Sequence, residues 1–258
     1  MRLSNRSVLV TGGATGIGFE IARQMRQHGC QVTICGRRPE FAASAIRDIP
    51  GIRGIACDLG ADDGIARLME FLGASDPEIL VNNAAIQVQT DLVTAGADSL
   101  PAVEEELRIN LLAPIKLTTL LLPRLLAGAD TAVVNLLSLL AIMPKANAPG
   151  HCASKGGLYA FSQSLRVLLQ DRDIHVHVVF PPLVDTPMSR GRGHGKMSPA
   201  DFVHDMLRQL EAGRLDVRVG QARTLLALHR IAPALAAAWT RRVSAGVTRP
   251  ATGQNLVR

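Results

Sequence analysis

Short apolar runs rich in β-branched residues recur along the chain, separated by amphipathic stretches. The runs cover Ser7–Thr11, Gln31–Cys35, Ile52–Cys57, Ile79–Asn82, Thr131–Leu137, His175–Phe180 and Asp216–Val219. They have the length and near-continuous apolar character of strands covered on both faces. Between them, Gly18–Gln27 and Ile65–Leu72 place apolar residues at helical spacing. A longer amphipathic segment from about Leu100 to Leu126 is predicted to be interrupted at Pro114 and Pro123. Strand–helix alternation at this spacing predicts right-handed βαβ crossovers. The expected fold is therefore α/β, a doubly wound parallel sheet of about seven strands with helices on both faces.

No internal repeat and no Gly/Ser-rich linker divides the chain, so one domain is expected over residues 1–242. Residues 243–258 lack apolar periodicity and are expected to form a disordered tail. A Gly/Pro-rich stretch follows the sixth strand, and loops at the carboxyl ends of parallel strands form the ligand crevice. Residues 181–200 are accordingly a candidate substrate loop. Ser198 and Pro199 fit the N-cap and first position of a helix. After the seventh strand, residues 223–242 form an apolar helical segment interrupted by Pro233. Its face of Leu225, Leu226, Leu228, Ile231, Leu235 and Trp239 suits packing over the cleft or a subunit interface. Peripheral membrane contact through Trp239, Arg241 and Arg242 is the alternative.

Composition narrows the class. Of 258 residues 47% are hydrophobic and only 3% aromatic, so the core must be aliphatic. The clean apolar runs are too short to span a bilayer, and no signal-peptide block precedes the first strand. Cys30, Cys35, Cys57 and Cys152 show no metal-binding spacing, which predicts reduced thiols and no metal site. The expectation is a soluble cytoplasmic protein. From Arg208 onward nine arginines face only Glu211 and Asp216, an asymmetry that suits either an anionic partner or a solvated face. Basic residues are not interleaved with aromatics, which argues against nucleic acid.

Candidate chemistry begins at the end of the first strand. In Thr11-Gly12-Gly13-Ala14-Thr15-Gly16-Ile17-Gly18, small residues let the backbone approach a pyrophosphate while a helix N-terminus supplies free N–H groups. The second strand ends in Ile34-Cys35-Gly36-Arg37-Arg38, where a carboxylate would bind the ribose 2′-hydroxyl of NAD. Here two guanidiniums stand instead, and their planar forks suit a 2′-phosphate, so the residues point to NADP(H). Asn82-Asn83-Ala84-Ala85, Asn110, Ser138 and His151-Cys152-Ala153-Ser154-Lys155 complete the set.

With these motifs the chain resembles the short-chain dehydrogenase/reductase family over nearly its whole length. The resemblance implies a Rossmann-type fold, a small carbonyl or alcohol substrate and a homodimer or homotetramer. It also implies that Gly12, Gly16, Ile17 and Gly18 hold the dinucleotide, that Asp58, Leu59, Asn82 and Ala84 surround the adenine, and that Val184 and Thr186 lie near the nicotinamide amide. Pro181-Pro182 stands where the family has a Pro-Gly turn. The long substrate loop and C-terminal extension look more loosely like the oxidoreductases of D-alanine-transfer (Dlt) operons.

The resemblance further implies that Ser138 polarises the substrate carbonyl, Lys155 binds the nicotinamide ribose and Asn110 anchors a water relay. The family places a tyrosine four residues before the lysine; this chain has His151. Imidazole can exchange protons near neutrality, but it reaches roughly 2 Å less far than a phenol hydroxyl, and misplacement of about 1 Å can cost 100-fold. Lys155 should also disfavour the imidazolium. Three classes stay open: a redox enzyme, a non-redox isomerase, lyase or cyclase, and a cofactor-binding pseudoenzyme or interaction subunit. The presence of Ser138, Lys155 and Asn110 together favours the first.

Overall fold

The computed structural model describes residues 1–234. Seven strands, β1 (Ser7–Thr11), β2 (Gln31–Gly36), β3 (Arg53–Ala56), β4 (Ile79–Asn82), β5 (Thr131–Leu136), β6 (Ile174–Phe180) and β7 (Asp216–Arg218), form one sheet. Their order is β3-β2-β1-β4-β5-β6-β7, and every pairing is parallel. The order reverses direction between β1 and β4, which opens a crevice at their carboxyl ends.

Side-chain alternation along these strands builds two cores. Val8, Val10, Val81 and Val134 face α1 (Gly16–Gln27) and α8 (Pro199–Glu211), where Ile21, Met25, Phe202 and Met206 are buried. The helix α2 (Pro39–Asp48) packs on β2 and β3 through Ala45. Leu9, Leu80 and Val133 point the other way, toward α3 (Gly64–Leu72), α6 (Ala113–Ala127) and α7 (Pro149–Leu168). Burying each Leu or Val side chain contributes about 1.5–3 kcal/mol, and both sheet faces are covered.

The segment expected to be interrupted at two prolines is instead a run of helices. It comprises α4 (Leu92–Ala95), a 3-10 turn, α5 (Leu100–Leu107), a π turn over Arg108–Leu112, and α6. Pro114 sits in the first turn of α6, just after the π turn, where its missing N–H does no harm. Pro123 lies inside α6, but it is exposed, and so is Thr119 one turn earlier. The carbonyl that loses its donor there can turn to water. The run Leu92–Ala127 is long and apolar enough by composition to cross a membrane, contrary to the expectation that no segment is. Leu117, Leu121 and Leu125 are nevertheless fully buried against the sheet, which makes α6 a core helix of this fold.

Ser198 caps α8 by accepting from the Asp201 N–H at 3.1 Å, with Pro199 at the first position as expected. The C-terminal segment opens as α9 (Gln221–Ile231), where Leu226 is buried while Leu228 and Ile231 are exposed. Leu235, Trp239, Arg241, Arg242 and the tail 243–258 lie outside the described residues.

Candidate active site

The crevice between β1 and β4 opens into a cavity of about 880 Å³. Its floor is the β1–α1 turn. Gly12 and Gly16 adopt φ of 64° and 57°, the left-handed region, and a Cβ on Gly12 would lie 2.9 Å from the Ala84 Cα. Thr11 ties this turn to β4, its hydroxyl oxygen accepting from the Asn83 and Ala84 N–H groups at 3.0 Å each. The Asn83 amide returns the contact by donating to the Thr11 and Gly12 carbonyls at 2.9 and 3.2 Å. Helix α1 then starts behind Thr15 with no side-chain cap and no acidic residue in its first turn. Its N–H groups are left for an anion.

Arg37 and Arg38 line the same cavity at the end of β2, with Asp58 and Leu59 opposite. Arg37 makes a half-exposed pair with Glu105 at 3.4 Å, and Arg38 lies 4.0 Å over the Phe41 ring. Ile17, Ala84, Val184 and Thr186 also line the cavity. Two expected dinucleotide residues do not. Gly18 stands behind the turn, where a Cβ would come 2.2 Å from the Gly12 carbonyl oxygen, so it permits close packing of α1 on β1. Strand alternation turns Asn82 into the sheet interior. Its amide donates to Asn135 at 2.8 Å and Thr118 at 3.2 Å, and Asn83 is the asparagine at the cavity.

At the other end, Ser138, His151 and Lys155 line the cavity together. Ser138 follows β5, and its hydroxyl oxygen accepts from the Leu140 N–H at 3.1 Å, which leaves its own proton to donate. His151 and Lys155 lie one turn apart on α7. Lys155 Nζ donates to the Leu136 carbonyl at 2.7 Å, and burial lowers its pKa to about 8. His151 Nδ1 lies 3.1 Å from the Ile86 carbonyl, which can only accept, so Nδ1 carries the proton and Nε2 the lone pair. Burial, then the Lys155 charge, lower its pKa to about 4, against the opposing Ile86 bond. At neutral pH His151 is an uncharged base.

Asn110, the expected relay anchor, stands close to His151, with its Nδ2 3.5 Å from His151 Nδ1. It is fully buried in the π turn and does not line the cavity. Its oxygen accepts from the Ile86 N–H and its amide donates to the Ile86 carbonyl, both at 2.8 Å, with a further bond to Ser154 at 3.2 Å. A side chain so committed fixes the backbone that orients His151.

Sequence reasoning missed four residues of this end. Glu106 is fully buried on α5, with Oε1 accepting from the Val88 N–H at 2.9 Å and standing 3.9 Å from His151 Nδ1. Burial raises its pKa. Gln87, Lys145 and Arg192 line the cavity, with Arg192 bonded to the Gln87 side chain and to its carbonyl at 3.3 Å. None belongs to a recognisable motif; the only sequence signal was that Arg192 falls in the Gly/Pro-rich loop.

Comparison with known proteins identifies the family and the fold. The family profile for short chain dehydrogenase matches residues 6–196. The Bacillus subtilis (strain 168) oxidoreductase DltE is 33% identical over 225 residues, covering 84% of this chain and 89% of its own. Human L-xylulose reductase is 28% identical over 213 residues, covering 82% of this chain and 84% of its own. A Burkholderia cenocepacia short chain dehydrogenase solved in complex with NADP shares the fold, with a TM-score of 0.81 at 22% identity over 97% of this chain and all of its own. The chain belongs to the short-chain dehydrogenase family of oxidoreductases.

Proposed function

We propose that the protein is an NADP(H)-dependent oxidoreductase of a small carbonyl/alcohol pair, with His151 exchanging the substrate proton. One observation carries the reading: Ser138, His151 and Lys155 line the same cavity as the Gly12–Gly16 turn and the two arginines after β2. The residues fit the dinucleotide. Gly12 leaves no room for a side chain beside Ala84, the α1 N–H groups suit a pyrophosphate, and Arg37 and Arg38 suit the 2′-phosphate. The complexes with NADP of the Burkholderia protein and of a Beutenbergia cavernae relative, 26% identical with a TM-score of 0.68 over 78% of this chain and 87% of its own, support the same choice.

When bound, the nicotinamide ring supplies or accepts the hydride. The protein's own groups do the rest. Ser138 donates its hydroxyl proton to the substrate oxygen. His151 Nε2 takes the proton of an alcohol substrate, directly or through one water, and in reduction its imidazolium returns it. Lys155, with one N–H on the Leu136 carbonyl, offers the others to the nicotinamide ribose. The loop after β6 stands over the turn, bringing Thr186 Cγ2 within 3.3 Å of a Cβ on Gly16, and we read residues 181–200 as the substrate loop. Leu120 on α6 and Val167 and Leu168 on α7 are exposed, which supports a homo-oligomer built on these helices.

A second reading has one specific support. A histidine that is uncharged at neutral pH is a base without a matching acid, which suits a non-redox isomerase or lyase using the same cavity. The test is a fluorescence titration with NADPH and NADH, followed by NADPH consumption against a carbonyl panel. Tight NADPH binding with turnover supports the oxidoreductase; binding without turnover of any carbonyl or alcohol supports the second reading.

A further inference from the structure

Among the described residues five cationic side chains line the cavity, Arg37, Arg38, Lys145, Lys155 and Arg192, against one carboxylate, Asp58. Three have a role in the proposed dinucleotide site. Arg37 and Arg38 stand at the adenosine end, and Lys155 is bonded beneath the nicotinamide end. Lys145 and Arg192 are left over, and they come from separate loops, before α7 and after β6.

Both are anchored beside the catalytic groups. The Lys145 N–H donates to Cys152 Sγ at 3.3 Å, next in sequence to His151. The Arg192 guanidinium is fixed by Gln87, one residue from the Ile86 carbonyl that orients His151. Neither has an ion pair among the described residues. Both are half-buried, and burial lowers the pKa of each; the Arg192 charge lowers that of Lys145 further. Glu106 is the carboxylate whose charge is felt at Arg192, but it is buried behind the Val88 N–H and does not line the cavity. Two partly desolvated cations lining one cavity repel each other, which favours binding of an anion beside them. The dinucleotide phosphates already have the β1–α1 turn, the α1 N–H groups and the arginines after β2, whereas Arg192 is fixed on Gln87 beside the Ile86 carbonyl that orients His151.

We infer that Lys145 and Arg192 form an oxyanion subsite, and that the substrate is a carbonyl or alcohol compound carrying a carboxylate or phosphate close to its reacting carbon. The inference rests on the oxidoreductase reading only for naming this the substrate end. The two cations hold the anionic group and so place the neighbouring carbonyl against Ser138 and His151. Charge-assisted bonds of this kind contribute about ten- to a hundred-fold each in affinity.

The experiment is calorimetric titration of matched probes into the free protein and into protein mixed with NADP⁺, which cannot reduce a ketone. The carboxylate pair is acetoacetate with its neutral methyl ester; the phosphate pair is dihydroxyacetone phosphate with dihydroxyacetone. In at least one pair the charged member should bind ten-fold or more tightly than its neutral partner, and the pair that does so identifies the anion. K145Q and R192Q should each bring that ratio toward one, R192K should keep most of it, and NADP⁺ affinity should not change. Equal binding within both pairs, no binding of either anion at about 10 mM, or a preference that survives both substitutions overturns the inference. Absence of NADP⁺ binding would instead count against the oxidoreductase reading, and the titration of the free protein would still decide the subsite.

Discussion

Acidification should accelerate carbonyl reduction while leaving alcohol oxidation nearly unchanged. His151 is held near a pKa of about 4 by burial and by Lys155, so the imidazolium needed as general acid is scarce at neutrality. At pH 7 it makes up about one part in a thousand and at pH 5 about a tenth, a roughly 100-fold gain in the reducing form. The neutral base needed for oxidation already exceeds about 90% at pH 5, so that direction has nothing to gain from higher pH until Lys155, with a pKa of about 8, loses its charge. The assay is kcat/KM for NADPH oxidation and for NADP⁺ reduction with the matched alcohol, between pH 5 and 8. His151→Tyr replaces imidazole with a phenol whose ordinary pKa is about 10, so the reduction profile should flatten over this range. A wild-type reduction rate that is flat from pH 7 to 5, or an acid rise that persists in His151→Tyr, would refute proton transfer by His151.

The other predictions concern cofactor choice, the turn and the core. Replacing Arg37 and Arg38 together by Gln should weaken NADPH by about ten- to a hundred-fold and leave NADH unchanged, measured by fluorescence titration; equal loss for both cofactors would mean the arginines do not read the 2′-phosphate. Gly18→Ala puts a Cβ 2.2 Å from the Gly12 carbonyl oxygen and 2.4 Å from Asn83 Nδ2. It should cost about 1–3 kcal/mol in urea unfolding and at least ten-fold in NADPH affinity, and a variant matching wild type in both would show that α1 need not pack so closely. His177 is buried with Nδ1 2.9 Å from the Arg214 carbonyl, and burial lowers its pKa to about 4. Above pH 6.5 both folded and unfolded forms are neutral; below it the unfolded chain takes up the proton first, so stability is lost as pH falls toward 4. The loss from pH 7 to pH 5 is about 2 kcal/mol. His177→Asn should remove it from the pH dependence of urea unfolding, and identical pH dependence in both proteins would contradict the assignment.

Much of the fold was legible because a parallel sheet covered on both faces leaves strong local signatures. The seven β-branched runs became the seven strands within one or two residues at each end. The glycine turn was legible for a similar reason, since only a side chain of no size fits beside Ala84 and Gly12. Prolines misled, because whether a proline breaks a helix depends on where the freed carbonyl points. The exposure of Thr119 beside Pro123 has no trace in sequence. For Asn82 and Asn110, motif position does not say which way a side chain turns. Both ended in buried networks. Glu106 and Arg192 were invisible because the helix and loop that carry them are distant from His151 in the chain, and Lys145, in the loop just before α7, carries no local signal that marks it as a cavity cation.

The most direct test is a single-turnover measurement at pH 5.5, with enzyme in excess over NADPH and a carbonyl panel that includes acidic and neutral members. The account predicts that NADPH binds and is oxidised in step with formation of the alcohol, more slowly at pH 7.5 than at pH 5.5. NADPH that binds but stays reduced with every carbonyl, and is consumed only by His151→Tyr, would contradict it: the cavity would hold a dinucleotide, and its natural chemistry would not be hydride transfer.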